Sequence, residues 1–365
     1  MTPPLRDLLG AVVEPQIGRP LDELGFLGEV DEAAIRIELV LPVTQWPHRA
    51  SLEAELTRLV PGVSIRVRAM DEDERLALRN YLRAEMTAEP HDGHQDAPVT
   101  ARFLERSSAT RVLGISSGKG GVGKSSVTVN LAIALAGAGH RVGLLDADVY
   151  GFSIPKMMGA SSDPVVLGDL VIPTLVNGVH CVSMGYFVPD EQPVIWRGPM
   201  LHKAIEQLVT EAWWNEPDFL LIDMPPGTGD VALTLSEVVP RVEMYVVTTP
   251  QPAAQRVAQR SAYAARKLKL AVRGVIENMS WFTGDDGVRY EIFGAGGGAQ
   301  LAAELGVALL ARIPLDPRLR DGGDTGQPLV VSDPTAEASR VFAELAATIV
   351  AQGPSRVYRQ ELRVT

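Results

Sequence analysis

The chain has 365 residues, of which 46% are hydrophobic and 22% are charged, so it has ample material for two globular domains. The formal net charge of −11 repels the nucleic-acid backbone at long range and disfavours a DNA-coating role. A single cysteine, Cys181, excludes a disulfide within the chain and a four-cysteine zinc or iron–sulfur site built from one chain.

The N-terminal residues lack the basic stretch and apolar core of a signal peptide. No apolar run reaches the ~18–20 residues that a membrane helix needs. We therefore expect a cytoplasmic protein that does not bind a membrane. The acidic net charge also disfavours nucleic acid as a partner.

Residues 1–86 are predicted to form a small α+β domain. Periodic and alternating apolar patterns predict, in order, a helix over 5–13, a strand over 34–41, a helix over 52–60 and a strand over 63–68. Residues 87–110 are rich in Pro, His, Asp, Gly, Gln and Ser, which is typical of a linker.

Residues 111–352 repeat a pattern of strand, turn and helix, and residues 353–365 form a tail. Continuous apolar runs are typical of parallel strands that are buried on both faces. They predict strands over 112–116, 142–145, 219–222, 244–247 and 272–276, with helices that include 124–135, 253–268, 298–305 and 336–349. The prediction is an α/β domain with a parallel sheet and helices on both faces.

A glycine-rich loop follows the first of these strands and precedes a helix. It fits the phosphate-binding pattern G-x-x-x-x-G-K-[ST] with Gly118, Lys119, Gly120, Gly121, Val122, Gly123, Lys124 and Ser125. The glycines let backbone N–H groups surround phosphates, and the following helix directs its positive end at them. The loop predicts a P-loop ATPase, and we count the next residue, Ser126, among the nucleotide contacts.

Two side chains of the loop have predicted roles in ATP chemistry. Lys124 supplies a positive charge to the β- and γ-phosphates, and Ser125 offers a hydroxyl to Mg²⁺. Lys119 stands where the deviant Walker-A ATPases, which this loop resembles, carry their signature lysine. That resemblance implies a homodimer in which Lys119 crosses to the partner's phosphates and assists hydrolysis.

Polar residues at the ends of other strands complete the predicted site. By resemblance, Asp148 positions the attacking water, while Asp146 lies near Mg²⁺ and Asp223 holds Mg²⁺ through water. Gly227 can donate a backbone N–H to the γ-phosphate. Asn278 offers the donor and acceptor that adenine recognition needs.

Further blocks of sequence resemble the Mrp (ApbC-like) ATPases over residues 111–350. They are residues 146–155, 194–201, 223–230, 277–282, 292–298 and 313–326. Residues 1–86 resemble the small domain that often precedes these ATPases and also occurs in iron–sulfur assembly factors. The resemblance implies transfer of iron–sulfur clusters to apoproteins, with ATP binding and hydrolysis as the switch. Apoprotein clients or iron–sulfur assembly proteins are the implied partners.

The chain departs from that family at the cluster site. Members commonly carry C-x-x-C after the Asn-Met-Ser block, whereas residues 281–290 here contain no cysteine. Cys181 lies in an apolar strand pattern, which is typical of a buried thiol. A homodimer would supply this cysteine twice and so at most two ligands to a shared cluster. Asp285 and Asp286 are oxygen donors and suit a soft cluster poorly. An iron–sulfur cluster is therefore doubtful as a cofactor.

We consider three alternatives to a cluster carrier. Of these, an ATP-driven partner of another carrier and a MinD- or ParA-like positioning ATPase remain, whereas a nitrogenase-like reductase needs the same bridging cysteines and fails on their absence. In every case we expect slow intrinsic ATP turnover, because such switches usually await a partner.

Overall fold

The computed structural model describes residues 4–87, 101–105, 108–149, 151–187, 198–227, 230–239 and 241–355. The chain divides into two compact units. The first comprises Met1–Glu105, Ser162–Leu175 and Thr210–Glu216, and the second comprises Arg106–Ser161, Val176–Val209 and Pro217–Thr365. The predicted boundaries at 86 and 111 did not include the two later segments of the first unit. Most of the predicted linker and tail, residues 88–100, 106–107 and 356–365, lies outside the described residues.

Among its described residues, the first unit contains a three-stranded sheet and three α-helices. In chain order its elements are α1 (Leu5–Gly10), β1 (Leu27–Asp31), β2 (Arg36–Leu41), α2 (Arg49–Leu59), β3 (Ser64–Ala69), α3 (Glu72–Met86), a 3-10 helix (Arg102–Leu104), β6 (Val165–Leu167) and β7 (Leu170–Ile172). Strand β2 lies in the centre, antiparallel to β1 and parallel to β3. The sequence pattern predicted α1, β2, α2 and β3 but neither β1 nor α3, and the predicted helix over 5–13 ends at Gly10.

The later segments of the first unit contribute to its core. The β6–β7 hairpin and Trp213 pack in the same apolar cluster as the N-terminal helices and strands. The indole N–H of Trp213 donates to the carbonyl of Ile17 at 3.0 Å, and Glu14 accepts the indole N–H of Trp46 at 2.9 Å. Burial raises the pKa of Glu14. Apolar contacts distant in sequence therefore hold this unit together.

Among the described residues, the second unit contains seven strands of an eight-stranded sheet. They are β4 (Arg111–Ser117), β5 (Val142–Asp146), β9 (Val179–Ser183), β10 (Phe219–Asp223), β11 (Val242–Thr248), β12 (Ala271–Glu277) and β15 (Ala308–Arg312), with a separate hairpin of β13 (Phe282–Thr283) and β14 (Arg289–Tyr290). The eighth strand is β8 (Thr174–Val176), whose first two residues are assigned to the first unit. The order is β15-β12-β11-β4-β10-β5-β9-β8, and the six ladders from β15 to β9 are parallel.

Helices cover both faces of this sheet. They are α4 (Lys124–Gly137), α5 (Ile154–Met158), α6 (Gly198–Thr210), α7 (Asp230–Val238), α8 (Pro252–Lys267), α9 (Gly297–Leu305), α10 (Pro317–Thr325), α11 (Leu329–Ser332) and α12 (Glu337–Gln352), with a 3-10 helix at Met184–Phe187. Successive side chains of β11 point to opposite faces of the sheet. Val247 packs with α4 and α12, whereas Val246 packs with α8 and α9. The predicted α/β class is confirmed. None of the helices in the described ranges combines the length and apolar character that a membrane crossing requires.

Candidate nucleotide site

The glycine-rich loop leaves the fully buried strand β4 and enters α4 at Lys124. Gly121 and Gly123 have φ values of +79° and +77°, a left-handed conformation that favours glycine. Gly123 also faces the amide nitrogen of Asn278, which a Cβ would approach within 3.0 Å. The loop therefore has the shape that its sequence predicts, with backbone groups turned to the start of a helix.

Gly118 is restricted by packing rather than by its φ angle. A Cβ at this position would come within 3.0 Å of backbone atoms of Val257 and Ala258 in α8. We expect Gly118→Ala to lower the free energy of unfolding of the nucleotide-free protein by about 1–3 kcal/mol, because backbone must move to admit the methyl group. Urea unfolding measures the change.

Gly120 provides the matched control for this substitution. A Cβ at Gly120 would meet no atom within 4 Å. We expect Gly120→Ala to stay within about 0.5 kcal/mol of the unsubstituted protein. Equal losses from both substitutions would show that the loop, and not its contact with α8, limits stability.

Asp223 is the central acid of the site and is fully buried at the end of β10. Its Oδ2 accepts from Lys124 Nζ at 2.5 Å and from Ser125 Oγ at 2.6 Å. Its Oδ1 accepts from Thr128 Oγ1 at 2.7 Å. Sequence reasoning missed Thr128, although its position one helical turn after Lys124 directs both side chains to the same side of α4. The P-loop and the acid at the end of β10 thus form one hydrogen-bonded cluster.

Asp146, at the end of β5, accepts hydrogen bonds at both carboxylate oxygens. Its Oδ1 accepts from the Asp148 backbone N–H at 3.2 Å. Its Oδ2 accepts from the backbone N–H groups of Ser153 and Ile154 and from Ser183 Oγ at 3.0 Å. Burial and the charge of Asp223 raise the pKa of Asp146 to about 7, against the lowering effect of these hydrogen bonds. In this structure Asp146 organises the loop that carries Asp148.

The other two predicted catalytic side chains, Asp148 and Lys119, have different neighbours. Asp148 is buried, and its carboxylate is 3.7 Å from Lys124 Nζ. Lys119 is half-buried, and its Nζ lies 3.4 Å from the Oε1 of Gln251, just before α8. Asp148 therefore belongs to the cluster around Lys124, whereas Lys119 extends along the loop towards α8.

Gly227 follows Asp223 and lies beside the P-loop. Its backbone N–H donates to the carbonyl of Ser117 at 2.8 Å, and its carbonyl accepts from Ser261 Oγ of α8 at 2.9 Å. The N–H predicted to contact a γ-phosphate is thus paired with β4 in this structure. Release of that pair is needed before it can bind phosphate.

A cavity of about 370 Å³ opens beside the start of α4. Gly123, Ser126 and Asn278 line it, together with Lys156 and Arg320, which the sequence analysis did not select. The Nδ2 of Asn278 donates to the carbonyl of Val122 at 2.9 Å, so the predicted contact with adenine would have to use Oδ1. The size of the cavity suits a small ligand such as a nucleotide base and sugar.

The donor set fits Mg²⁺ and a nucleotide. Hydroxyl and carboxylate oxygens of Ser125 and Asp223 meet within 2.6 Å, and such oxygens are the ligands that Mg²⁺ prefers. Lys124 and the first turn of α4 supply positive charge beside them. The arrangement can hold a phosphate chain and a hydrated metal ion, and Asp148, which is predicted to position the attacking water, lies 3.7 Å from Lys124 Nζ.

Two side chains that were considered as cluster ligands, Cys181 and Asp286, lie among the described residues. Cys181 is fully buried in β9, and burial raises the pKa of its thiol far above the usual range. Asp286 accepts from Tyr290 Oη and from the Val288 N–H within the β13–β14 hairpin. Within the described ranges, no three His, Cys, Asp or Glu side chains form a metal-binding group. The prediction that Cys181 is a buried thiol is confirmed.

The chain is similar to known proteins. Residues 108–350 match the family described as NUBPL iron-transfer P-loop NTPase, of the ParA group. The iron-sulfur cluster carrier protein of Mycobacterium bovis is 40% identical over 357 residues, which cover 94% of this chain and 91% of that protein. A curated relative is thus similar along nearly the whole chain.

Two solved structures share the fold of the second unit. A nucleotide-binding protein from Archaeoglobus fulgidus, in complex with ADP, is 32% identical with a TM-score of 0.54 and covers 64% of this chain and 91% of its own. The cell division ATPase MinD from Pyrococcus furiosus is 26% identical with a TM-score of 0.51 and covers 66% and 99%. Each structure thus covers about two thirds of this chain and more than nine tenths of its own length.

Proposed function

Because this chain belongs to the NUBPL iron-transfer P-loop NTPase family, we propose that it is a homodimeric, slowly hydrolysing ATPase that serves iron–sulfur protein assembly by acting on a cluster-bearing partner. The observation that carries this proposal is the contrast between its two sites. Asp223 stands among the ammonium of Lys124 and the hydroxyl of Ser125, which suit phosphates and Mg²⁺. The only cysteine of the chain, in contrast, is fully buried in β9.

The proposed cycle begins with the nucleotide phosphates at the P-loop. Lys124 exchanges Asp223 for the β- and γ-phosphates, and the Ser125 hydroxyl and Asp223 would hold the hydrated Mg²⁺ that accompanies ATP. Mg²⁺ supplies neutralisation of the phosphate charge when it is bound. Asp148 orients the attacking water, and Lys119 of each chain reaches the other chain's nucleotide.

The effect of hydrolysis can reach helix α8, on the surface of the second unit, through direct contacts. Gly227 is bonded to Ser117 on one side and to Ser261 of α8 on the other, and Gly118 packs on the backbone of α8. A change in how Gly227 binds the γ-phosphate therefore acts on α8. We propose that this movement changes what the dimer presents to its partner.

A cluster-transfer assay tests the function. A scaffold protein loaded with a [4Fe–4S] cluster is mixed anaerobically with an apo-enzyme that needs this cluster, and recovery of enzyme activity is followed with and without this protein and MgATP. We expect this protein to accelerate recovery only with ATP, and the Lys124→Ala variant to have no effect. Equal acceleration without ATP would contradict an ATP-driven role.

Iron binding separates the proposed partner role from that of a carrier. We expect anaerobic reconstitution with iron and sulfide to leave no cluster absorption on the purified protein, because the Cys181 thiol is inaccessible and protonated. Cys181→Ala should have the same iron content. A stable cluster that the Cys181→Ala variant loses would instead establish a carrier that uses this thiol.

A further inference from the structure

Helix α8 has a strongly basic outer face in an acidic chain. Between Pro252 and Lys267 the helix contains three arginines and one lysine and no acidic residue. Arg256, Arg260 and Lys267 are exposed and lie within one stripe, because positions i, i+4 and i+11 fall on the same side of a helix. We call these three residues the basic stripe, and it extends about 16 Å along the helix.

The basic stripe has no acidic partner within the part of the chain that the structure describes, where no ion pair involves any of its three residues. The nearest acid on α9, Glu304, accepts instead from the amides of Gln259 and Gln300. Exposed lysines and arginines elsewhere in this protein are often paired, as Arg289 is with Glu337. The stripe is thus a concentrated positive charge available to an external ligand.

Apolar side chains accompany the stripe. Val257 and Tyr263 are 38% and 44% exposed and stand beside the basic residues on the same outer half of α8. The opposite side of the helix is made of small residues, Ala254, Ala258, Ser261, Ala262 and Ala265, which pack closely on the sheet. The outer residues therefore have no part in the core, and their chemistry is both cationic and apolar.

We propose that this outer face of α8 is a docking surface for an acidic, amphipathic segment of a partner protein. Carboxylates of the segment pair with the basic stripe, and its apolar side chains cover Val257 and Tyr263. Nucleic acid fits less well, because three charges on one helix give little counterion release.

The position of α8 links this surface to the nucleotide. Val257 belongs to the docking surface and also contributes backbone to the contact with Gly118 of the P-loop. Ser261, on the inner side of the same helix, holds the carbonyl of Gly227. If the partner segment binds one nucleotide state more tightly than the other by some factor, the bound segment must change the relative affinity for the two nucleotides by the same factor. This coupling rests on the proposed ATPase function, whereas the docking itself does not.

The test uses a fluorescent helical peptide that carries Glu at i and i+4 positions and Leu beside them, with a Gln-for-Glu peptide as the matched probe. Anisotropy titrations at low salt compare the full-length protein with the variant R256Q/R260Q/K267Q. We expect the substitutions to weaken binding of the Glu peptide at least tenfold and to leave intrinsic ATP hydrolysis unchanged. The Gln peptide should bind weakly to both proteins.

A second triple variant, R75Q/K203Q/R340Q, removes the same charge from exposed positions elsewhere. It should bind the Glu peptide as the unsubstituted protein does. An equal loss in this variant would overturn the proposal, because net charge alone would then explain binding. A 30-base-pair DNA duplex that binds more tightly than the peptide and depends on the stripe would also overturn it, as would a stripe-dependent dimer without peptide.

Nucleotide coupling is measured on the same system. Peptide affinity with ADP and with a non-hydrolysable ATP analogue should differ by at least about fivefold, while the Lys124→Ala variant should bind the peptide with no nucleotide effect. Identical affinities in both nucleotide states would refute the coupling. Because Lys124→Ala retains the stripe, loss of ATP binding and loss of docking are distinguishable.

Discussion

We expect replacement of Lys124 by alanine to lower ATP affinity by more than about 100-fold and to abolish hydrolysis. The Nζ of Lys124 lies among buried carboxylates, 2.5 Å from Asp223 and 3.7 Å from Asp148. Without it, the phosphates would meet the negative charge of these acids. Isothermal titration with MgATP and a phosphate-release assay measure the two losses.

The same substitution is expected to destabilise the nucleotide-free protein by about 3–5 kcal/mol, because it leaves Asp223 buried without its cation. The double variant Lys124→Ala/Asp223→Asn separates folding from function. Removing the unpaired charge should restore much of the stability, whereas ATP binding should stay absent. If the double variant regained ATP affinity, Lys124 would be a structural partner of Asp223 and not a phosphate ligand.

Replacement of Lys119 by alanine should have a different signature. We expect ATP affinity to stay within about threefold and hydrolysis to fall by at least about 100-fold, since a charge supplied to the transition state is worth most in that state. The Nζ of Lys119 contacts only the Gln251 side chain at 3.4 Å among the described residues, so its removal disturbs little of the fold. Gln251→Ala is the control and should leave both quantities unchanged.

Mixing variants tests whether Lys119 acts across a dimer. Lys119→Ala and Lys124→Ala are each inactive, but a mixed dimer has one site with both lysines. Equal mixing should restore up to about one quarter of the activity, because half of the dimers are mixed and one of their two sites is intact. Hydrolysis by Lys119→Ala alone at the original rate would disprove the role in trans.

The second unit could be predicted from the sequence because its signals are local. Continuous apolar runs gave β4, β5, β10, β11 and β12 close to their observed bounds, and the glycine spacing located the turn between β4 and α4. Parallel strands end at one edge of the sheet, so Asp146 and Asp223 are brought together as neighbours in register.

The first unit was harder to predict because much of its order is nonlocal. The β6–β7 hairpin and Trp213 join a core whose other members precede them by more than 70 residues, and no local pattern encodes such a return. Helix α3 did carry a signal, a capping box in which Asp71 and Glu74 bond reciprocally to each other's backbone. Its many charged residues obscured the apolar spacing.

Individual contacts of the site also depended on tertiary structure. The sequence indicated that Asn278 and Gly227 belong near the nucleotide, but not that their N–H groups bond to Val122 and Ser117. A short polar side chain or a glycine N–H takes whichever partner the fold brings within 3 Å. The predicted site residues therefore stay predictions for the bound state, even though most of them lie together around α4.

The ion pair between Lys124 and Asp223 has a consequence for the order in which ligands arrive. While the ammonium group occupies Oδ2, that oxygen is closed to a divalent cation, which the same ammonium would repel. We expect bound phosphates to draw Lys124 away and so to free the carboxylate of Asp223. Asp223 would then be able to hold Mg²⁺ that arrives together with ATP, and less able to hold it in advance of ATP.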